Sequence, residues 1–190
     1  IVKAGVSGRA FGTEQLISQG TKIQTIRLER STQKQEAVEA VRTYLIALKF
    51  QSRMATVIAN AVDELLMNAI FDAPVDELGK HLYDSTSRAT GLILDGKKSV
   101  ELHVAYDGQY VTLTAVDQYG SLDKSKLLTS VSKIYTQQEY RVRSSVAGAG
   151  IGLASVFHSG GSFLFSSEKG ARTEVTVFFR RCDSYREFKS

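Results

Sequence analysis

Two runs of alternating apolar residues, Val100-Leu102-Val104-Tyr106 and Val111-Leu113-Ala115, flank the pair Asp107-Gly108. Period-two alternation places one set of side chains on one face of a strand. Asp-Gly between two such runs is a strong hairpin signal, because the tight turn needs positive φ and glycine accepts it. The chain is therefore expected to hold an antiparallel sheet with an apolar face to cover. The cover lies upstream. Val38, Val41, Leu45 and Leu48 recur at three- and four-residue steps, and so do Met54, Ile58, Ala61, Leu65 and Ala69. That recurrence is the stripe of an amphipathic helix. One helix is predicted from a cap at Ser31 or Thr32, with Gln35 and Glu36 following, to about Phe50. A second runs from about Arg53 to Ala73, where Pro74, the only proline, ends it.

The remaining elements follow the same logic. Ile23–Glu29 reads as a strand with Ile26 and Leu28 on one face. Val75–Lys98 is polar and aperiodic, with room for one helical turn. Ser121–Ser145 is mostly polar, with helical patterning near Leu127–Ile134. A glycine cluster, Gly148–Gly152, opens a short helix, Leu153–His158, that Gly160-Gly161 terminates. Two last strands, Phe163–Ser166 and Glu174–Arg180, join through Glu168-Lys169-Gly170. The order β-α-α-loop-β-β-lid-α-β-β predicts the α+β class: a two-layer α/β sandwich with a mixed, mostly antiparallel sheet and helices on one face. Residues 1–20 read as linker or tail, 21–182 as the domain and 183–190 as a C-terminal tail.

Composition removes several function classes. With 190 residues, 43% hydrophobic and 23% charged, the chain is neither a disordered tail, a collagen-like repeat nor a disulfide scaffold. Its one cysteine, Cys182, has no intrachain partner, so a reducing, cytoplasmic location is expected. No apolar run approaches the ~18 residues of a bilayer span, so no membrane partner is expected. A chain opening on Ile1 reads as a processed product or a module of something longer. The net charge of +4 and pI of 9.1 are modest, and no stripe interleaves Arg/Lys with stacking aromatics, which disfavours nucleic acid. Charge is local instead. Lys124, Lys126, Lys133, Arg141 and Arg143 cluster after the hairpin, and Asp63, Glu64, Asp72, Asp76 and Glu77 cluster on and after the second helix. That distribution suits a bound anion together with a cation.

Four features bear on chemistry. Gly91–Lys98 nearly matches a P-loop, but Lys98 stands where a magnesium-binding Ser or Thr belongs. Gly148-Ala-Gly150-Ile-Gly152-Leu153 spaces its glycines wrongly for a dinucleotide fingerprint. It reads either as a flexible helix start or as an anion site where free N–H groups meet a phosphate. Glu64 and Asn68 lie roughly 40° apart on the edge of the apolar stripe, since each helical residue turns about 100°. They are a solvent-bridged polar pair, or an amide oxygen for magnesium beside a carboxylate that takes a proton. Asp117 follows the strand Val111–Val116 and precedes Gln118-Tyr119-Gly120; it is a turn former, or an acceptor for a ligand amino group.

In order, Glu64-Leu-Leu-Met-Asn68-Ala-Ile-Phe-Asp72-Ala73, then Asp117-Gln-Tyr-Gly120, then Gly148-Ala-Gly150-Ile-Gly152-Leu153, then Thr173-Glu-Val resemble the boxes of the GHKL (histidine-kinase-like) ATPase superfamily over about residues 22–180. The strand and helix before the first box look like the anti-sigma-factor serine kinases of that superfamily. The resemblance implies a Bergerat-type ATP-binding fold and ATP and Mg2+ as cofactors. It implies Glu64 as general base and Asn68 as a magnesium ligand, with Asp72 nearby. Asp117 would accept from the adenine amino group, with Gly120 in the same box and Thr173 assisting through a water. Gly148, Gly150, Gly152 and Leu153 would line the phosphates, and Lys133, Arg141 or Arg143 of a lid would meet the terminal phosphate. It also implies a regulatory protein partner (an antagonist or a sigma-factor-like protein), a serine or threonine acceptor, and a possible homodimer. The family's second box usually reads Asp-x-Gly-x-Gly, and here Tyr119 and Ser121 replace the glycines. The alternatives are a nucleotide-sensing or inactive protein-binding module of the same fold, and a histidine-kinase catalytic or ATPase domain.

Overall fold

The computed structural model describes residues 11–123, 156–157 and 159–188. Five strands, β1 (Ile23–Leu28), β2 (Val100–Tyr106), β3 (Tyr110–Asp117), β4 (Ser162–Glu168) and β5 (Arg172–Arg180), form one sheet. Its order is β1-β2-β3-β5-β4, and among the described residues every pairing is antiparallel, where the sequence pattern predicts a mixed, mostly antiparallel sheet. Helices α1 (Lys34–Ala47), α2 (Ser52–Met67) and α3 (Tyr185–Phe188) pack on one face, giving the expected two-layer α+β sandwich.

The register shows why. Leu102, Leu113 and Val177 project to the same face, because Leu113 pairs with both Val104 and Val177, and Leu102 pairs with Ala115. All three are fully buried, together with Met54, Ile58, Leu65 and Leu66 of α2. The hairpin forms where Asp107-Gly108 stands: Asp107 Oδ1 accepts from the N–H groups of Gln109 and Tyr110 at 3.0 and 2.8 Å. Ser52–Asp72 is long and apolar enough to cross a membrane by composition alone, but 61% of its most apolar window is buried in the fold, as a core helix is.

Three details differ from the expectation. The second helix runs in α geometry only to Met67; Asn68–Asp72 form a π turn, with Ala73 N–H donating to Asn68 O at 2.8 Å. The repeat there is too short for periodicity to separate the two geometries. Ser31 does not cap α1. Its hydroxyl donates to Thr90 O and accepts from Leu92 N–H, while Gln33 Oε1 takes the N–H groups of Glu29 and Arg30. The segments read as tails also carry packed residues. Thr13 is wholly buried against the second face of the sheet, 2.9 Å from His103 Nδ1, and Gly12 N–H donates to the buried Glu174. At the other end Phe188 is buried and stacks on Phe179 with centroids 5.7 Å apart. Truncating it leaves a cavity against β5, so Phe188→Ala is expected to cost about 3 kcal/mol in urea unfolding.

Candidate functional site

On the helix side, Glu64, Asn68 and Asp72 follow at four-residue steps through the end of α2 and the π turn. π turns occur often at functional sites. The Glu64 carboxyl is half-buried; burial and neighbouring Asp63 push its pKa up, while Arg88 and Lys34 pull it down. Burial likewise raises the Asp72 pKa against the pull of Arg88 and His81. Asp72 Oδ1 meets Arg88 Nη2 at 3.1 Å, whereas its Oδ2 is buried with no hydrogen-bond partner among the described residues. His81 Nδ1 lies 2.7 Å from the Asp72 carbonyl, which can only accept, so this nitrogen carries the proton.

On the sheet side, Asp117 ends β3 and Thr173 stands directly opposite it on β5. Both are almost fully buried, at 5% and 2% exposure. Asp117 Oδ1 accepts from Tyr119 N–H at 2.8 Å. Burial pushes its pKa up to about 6, although the N–H groups of Tyr119 and Gly120 and the Thr173 hydroxyl favour the charge. The Thr173 Oγ1 is buried and makes no hydrogen bond of normal geometry among the described residues. A buried acceptor beside an unused hydroxyl is costly unless a ligand or water satisfies both.

The two halves are tied together. Ser121 donates its hydroxyl to Ala73 O at 2.7 Å, so the end of β3 is fixed to the end of the π turn. Gly120 sits at φ +57°, and a Cβ there would stand 1.8 Å from Glu168 O, in the β4–β5 turn. Only glycine fits. Tyr119 is buried, with Lys97 Nζ 5.3 Å from its ring centre.

The structure thus brings Glu64, Asn68 and Asp72 onto one helix edge, and Asp117, Gly120 and Thr173 around the end of one strand pair. Gly148, Gly150, Gly152 and Leu153 lie outside the described residues, as do the lid cations Lys133, Arg141 and Arg143. A polar cleft of about 370 Å³ opens between α1, α2 and the residues Val156 and Ser159; Glu64 lines it, and Asn68 and Asp117 do not. Sequence reasoning missed Arg88, Lys97 and His81, which reach the site from the aperiodic segment after Pro74. Arg88 and His81 carried no signal beyond being basic in a polar stretch beside an acidic helix, and Lys97 stood only in the near P-loop Gly91–Lys98.

The donor set fits magnesium in one way only. No group of three or more His, Cys, Asp or Glu side chains forms a cage among the described residues. A magnesium ion keeps several waters and takes one or two protein oxygens plus phosphate oxygens, which Asn68 could complete.

No protein-family model matches the chain, and no curated protein does. Among solved structures, the chain is similar to a chain of the SiaB-SiaC complex from Pseudomonas aeruginosa, at 16% identity and a TM-score of 0.52. The match covers 82% of this chain and 88% of that one. At that identity the likeness speaks for the fold alone. It is the same kind of helix-on-sheet sandwich.

Proposed function

We propose that this chain is an ATP-binding regulatory domain of the GHKL type, acting as a Mg-ATP-dependent serine/threonine protein kinase in a partner switch. The observation that carries the reading is the Asp117–Thr173 pair: a buried carboxyl bonded by a backbone N–H, opposite a buried hydroxyl that has no hydrogen-bond partner among the described residues. The adenine amino group is a donor matched to that carboxylate, and the hydroxyl suits a water bridging to a ring nitrogen.

The roles are those the resemblance implies, and the geometry supports part of them. Asp117 and Thr173 hold the base. Gly120 lets the chain turn tightly beside it. Asn68 is the protein ligand for magnesium, which would neutralise phosphate charge when bound. Glu64, its pKa raised by burial, accepts the proton of an attacking hydroxyl. The cleft beside Glu64 gives that hydroxyl an approach. The structural neighbour was solved as a complex of two proteins, which supports a regulatory protein partner here.

The test separates binding from chemistry. Glu64→Ala is expected to leave Mg-ATP affinity within a few-fold while lowering phosphoryl transfer about 10²–10⁴-fold. Calorimetry and transfer of labelled phosphate to candidate acceptor proteins read the two effects. Label appearing on a histidine would contradict the serine/threonine assignment. A second reading, a nucleotide sensor without turnover, is favoured by the bulk of Tyr119 where the family has glycine; it predicts binding and no transfer from the parent chain.

A further inference from the structure

The segment Pro74–Lys98 is not a slack loop. Asp76 Oδ1 accepts from the N–H groups of Leu78 and Lys80, Val75 bridges to His81, and Ile93 bridges to Arg30. Tyr83 meets Phe71 edge-on at 6.3 Å. So held, the segment lays cations along both halves of the site: Lys97 over the Tyr119 ring, and Arg88 at Asp72. The Arg88 guanidinium lies 5.8 Å from the Phe71 ring centre, and its charge is felt by both Asp72 and Glu64, which flank Asn68 on the helix edge. It touches Asp72 through one nitrogen, and its side chain remains 44% exposed.

We infer that Arg88 binds the phosphate chain of the nucleotide, held in place by Asp72 and presenting its remaining N–H donors to the ligand. The inference rests on the nucleotide reading and adds to it a residue that the four motifs do not contain. A guanidinium carries five donors in a fixed fork, and Asp72 uses one of them, so the fork can bridge a carboxylate and a phosphate oxygen together. The edge-on packing of Tyr83 and the hydrogen bond of His81 fix the segment, so that the cation is preorganised.

The experiment compares adenosine, ADP and ATP by titration calorimetry in EDTA, on the parent chain, Arg88→Ala and Arg88→Lys. Arg88→Ala is expected to fold, because Arg88 is 44% exposed and the largely buried Asp72, its pKa already raised by burial, can take a proton when left without its partner; circular dichroism checks this. The expected result is a roughly tenfold to hundredfold loss of affinity for ADP and ATP in Arg88→Ala, with adenosine unchanged. Arg88→Lys keeps part of the gain, as a point charge without the fork. Equal weakening of all three ligands, or none, would overturn the assignment while leaving the adenine pocket intact. A parent chain that binds adenosine as well as ADP does the same. A parent chain that binds none of the three overturns the nucleotide reading itself, and this inference with it.

Discussion

Asp117→Asn is expected to raise the stability of the protein at pH 7 and, on the proposed function, to abolish binding of adenine nucleotides. The two effects have one cause. Burial lifts the Asp117 pKa from 3.8 to about 6, so the folded state holds a proton more tightly than the unfolded chain does. A carboxyl shifted in that direction stabilises the fold at low pH. The contribution is complete below about pH 4 and is lost as pH rises through about 6, amounting to roughly 3 kcal/mol. Asparagine is uncharged throughout, so the variant avoids that loss: its advantage is up to roughly 3 kcal/mol at pH 7 and near zero at pH 4. Urea unfolding at the two pH values measures it. Binding moves the other way. The adenine amino group needs the ionised carboxylate, and an amide presents a donor to a donor. In the parent chain, nucleotide affinity should fall about tenfold per unit below pH 6, while stability rises over the same interval. A site that spends stability to keep a charge buried is the pattern expected where a ligand completes it.

Gly120→Ala is the second large effect. The added methyl would lie 1.8 Å from Glu168 O and 2.8 Å from Gly170 N, both backbone atoms that cannot rotate away. The φ of +57° adds a further cost of roughly 1–2 kcal/mol for any residue with a Cβ. The variant is expected to lose about 3 kcal/mol or more, and to displace the Asp117 carboxyl from Thr173. Gly170→Ala is the internal comparison. Its φ of +76° carries the same conformational cost, but nothing stands within 4 Å of the new methyl. It should lose only about 1–2 kcal/mol and keep nucleotide binding. Equal losses in the two variants would mean that the approach of Gly120 to the β4–β5 turn is not a structural constraint.

What could be read from the sequence divides along physical lines. The Val100–Ala115 hairpin and the stripes of α1 and α2 were legible, because periodicity declares which residues must be buried together. The pairing of Asp117 with Thr173 was not. Alternation says which face a residue takes, whereas register across distant strands depends on how the whole sheet assembles. The motif order proposed both residues; only the ladder makes them neighbours. The π turn at Asn68–Asp72 escaped because five residues hold too little period to distinguish it from α geometry. Thr13 and Phe188 escaped because short aperiodic segments carry no record of what they pack on. Arg88 was invisible for the same reason: its segment is fixed by Asx turns, bridges and ring edges rather than by a repeat.

Titration calorimetry of the parent chain with Mg-ATP and with Mg-GTP, at pH 7.5, tests the base pocket most directly. Guanine presents a carbonyl where adenine presents an amino group, so the buried Asp117 carboxylate would face an acceptor without a donor between them. The proposed adenine assignment to Asp117 predicts that the chain binds ATP and rejects GTP by roughly a hundredfold or more. Equal affinity for the two nucleotides, or heat from neither, would contradict it.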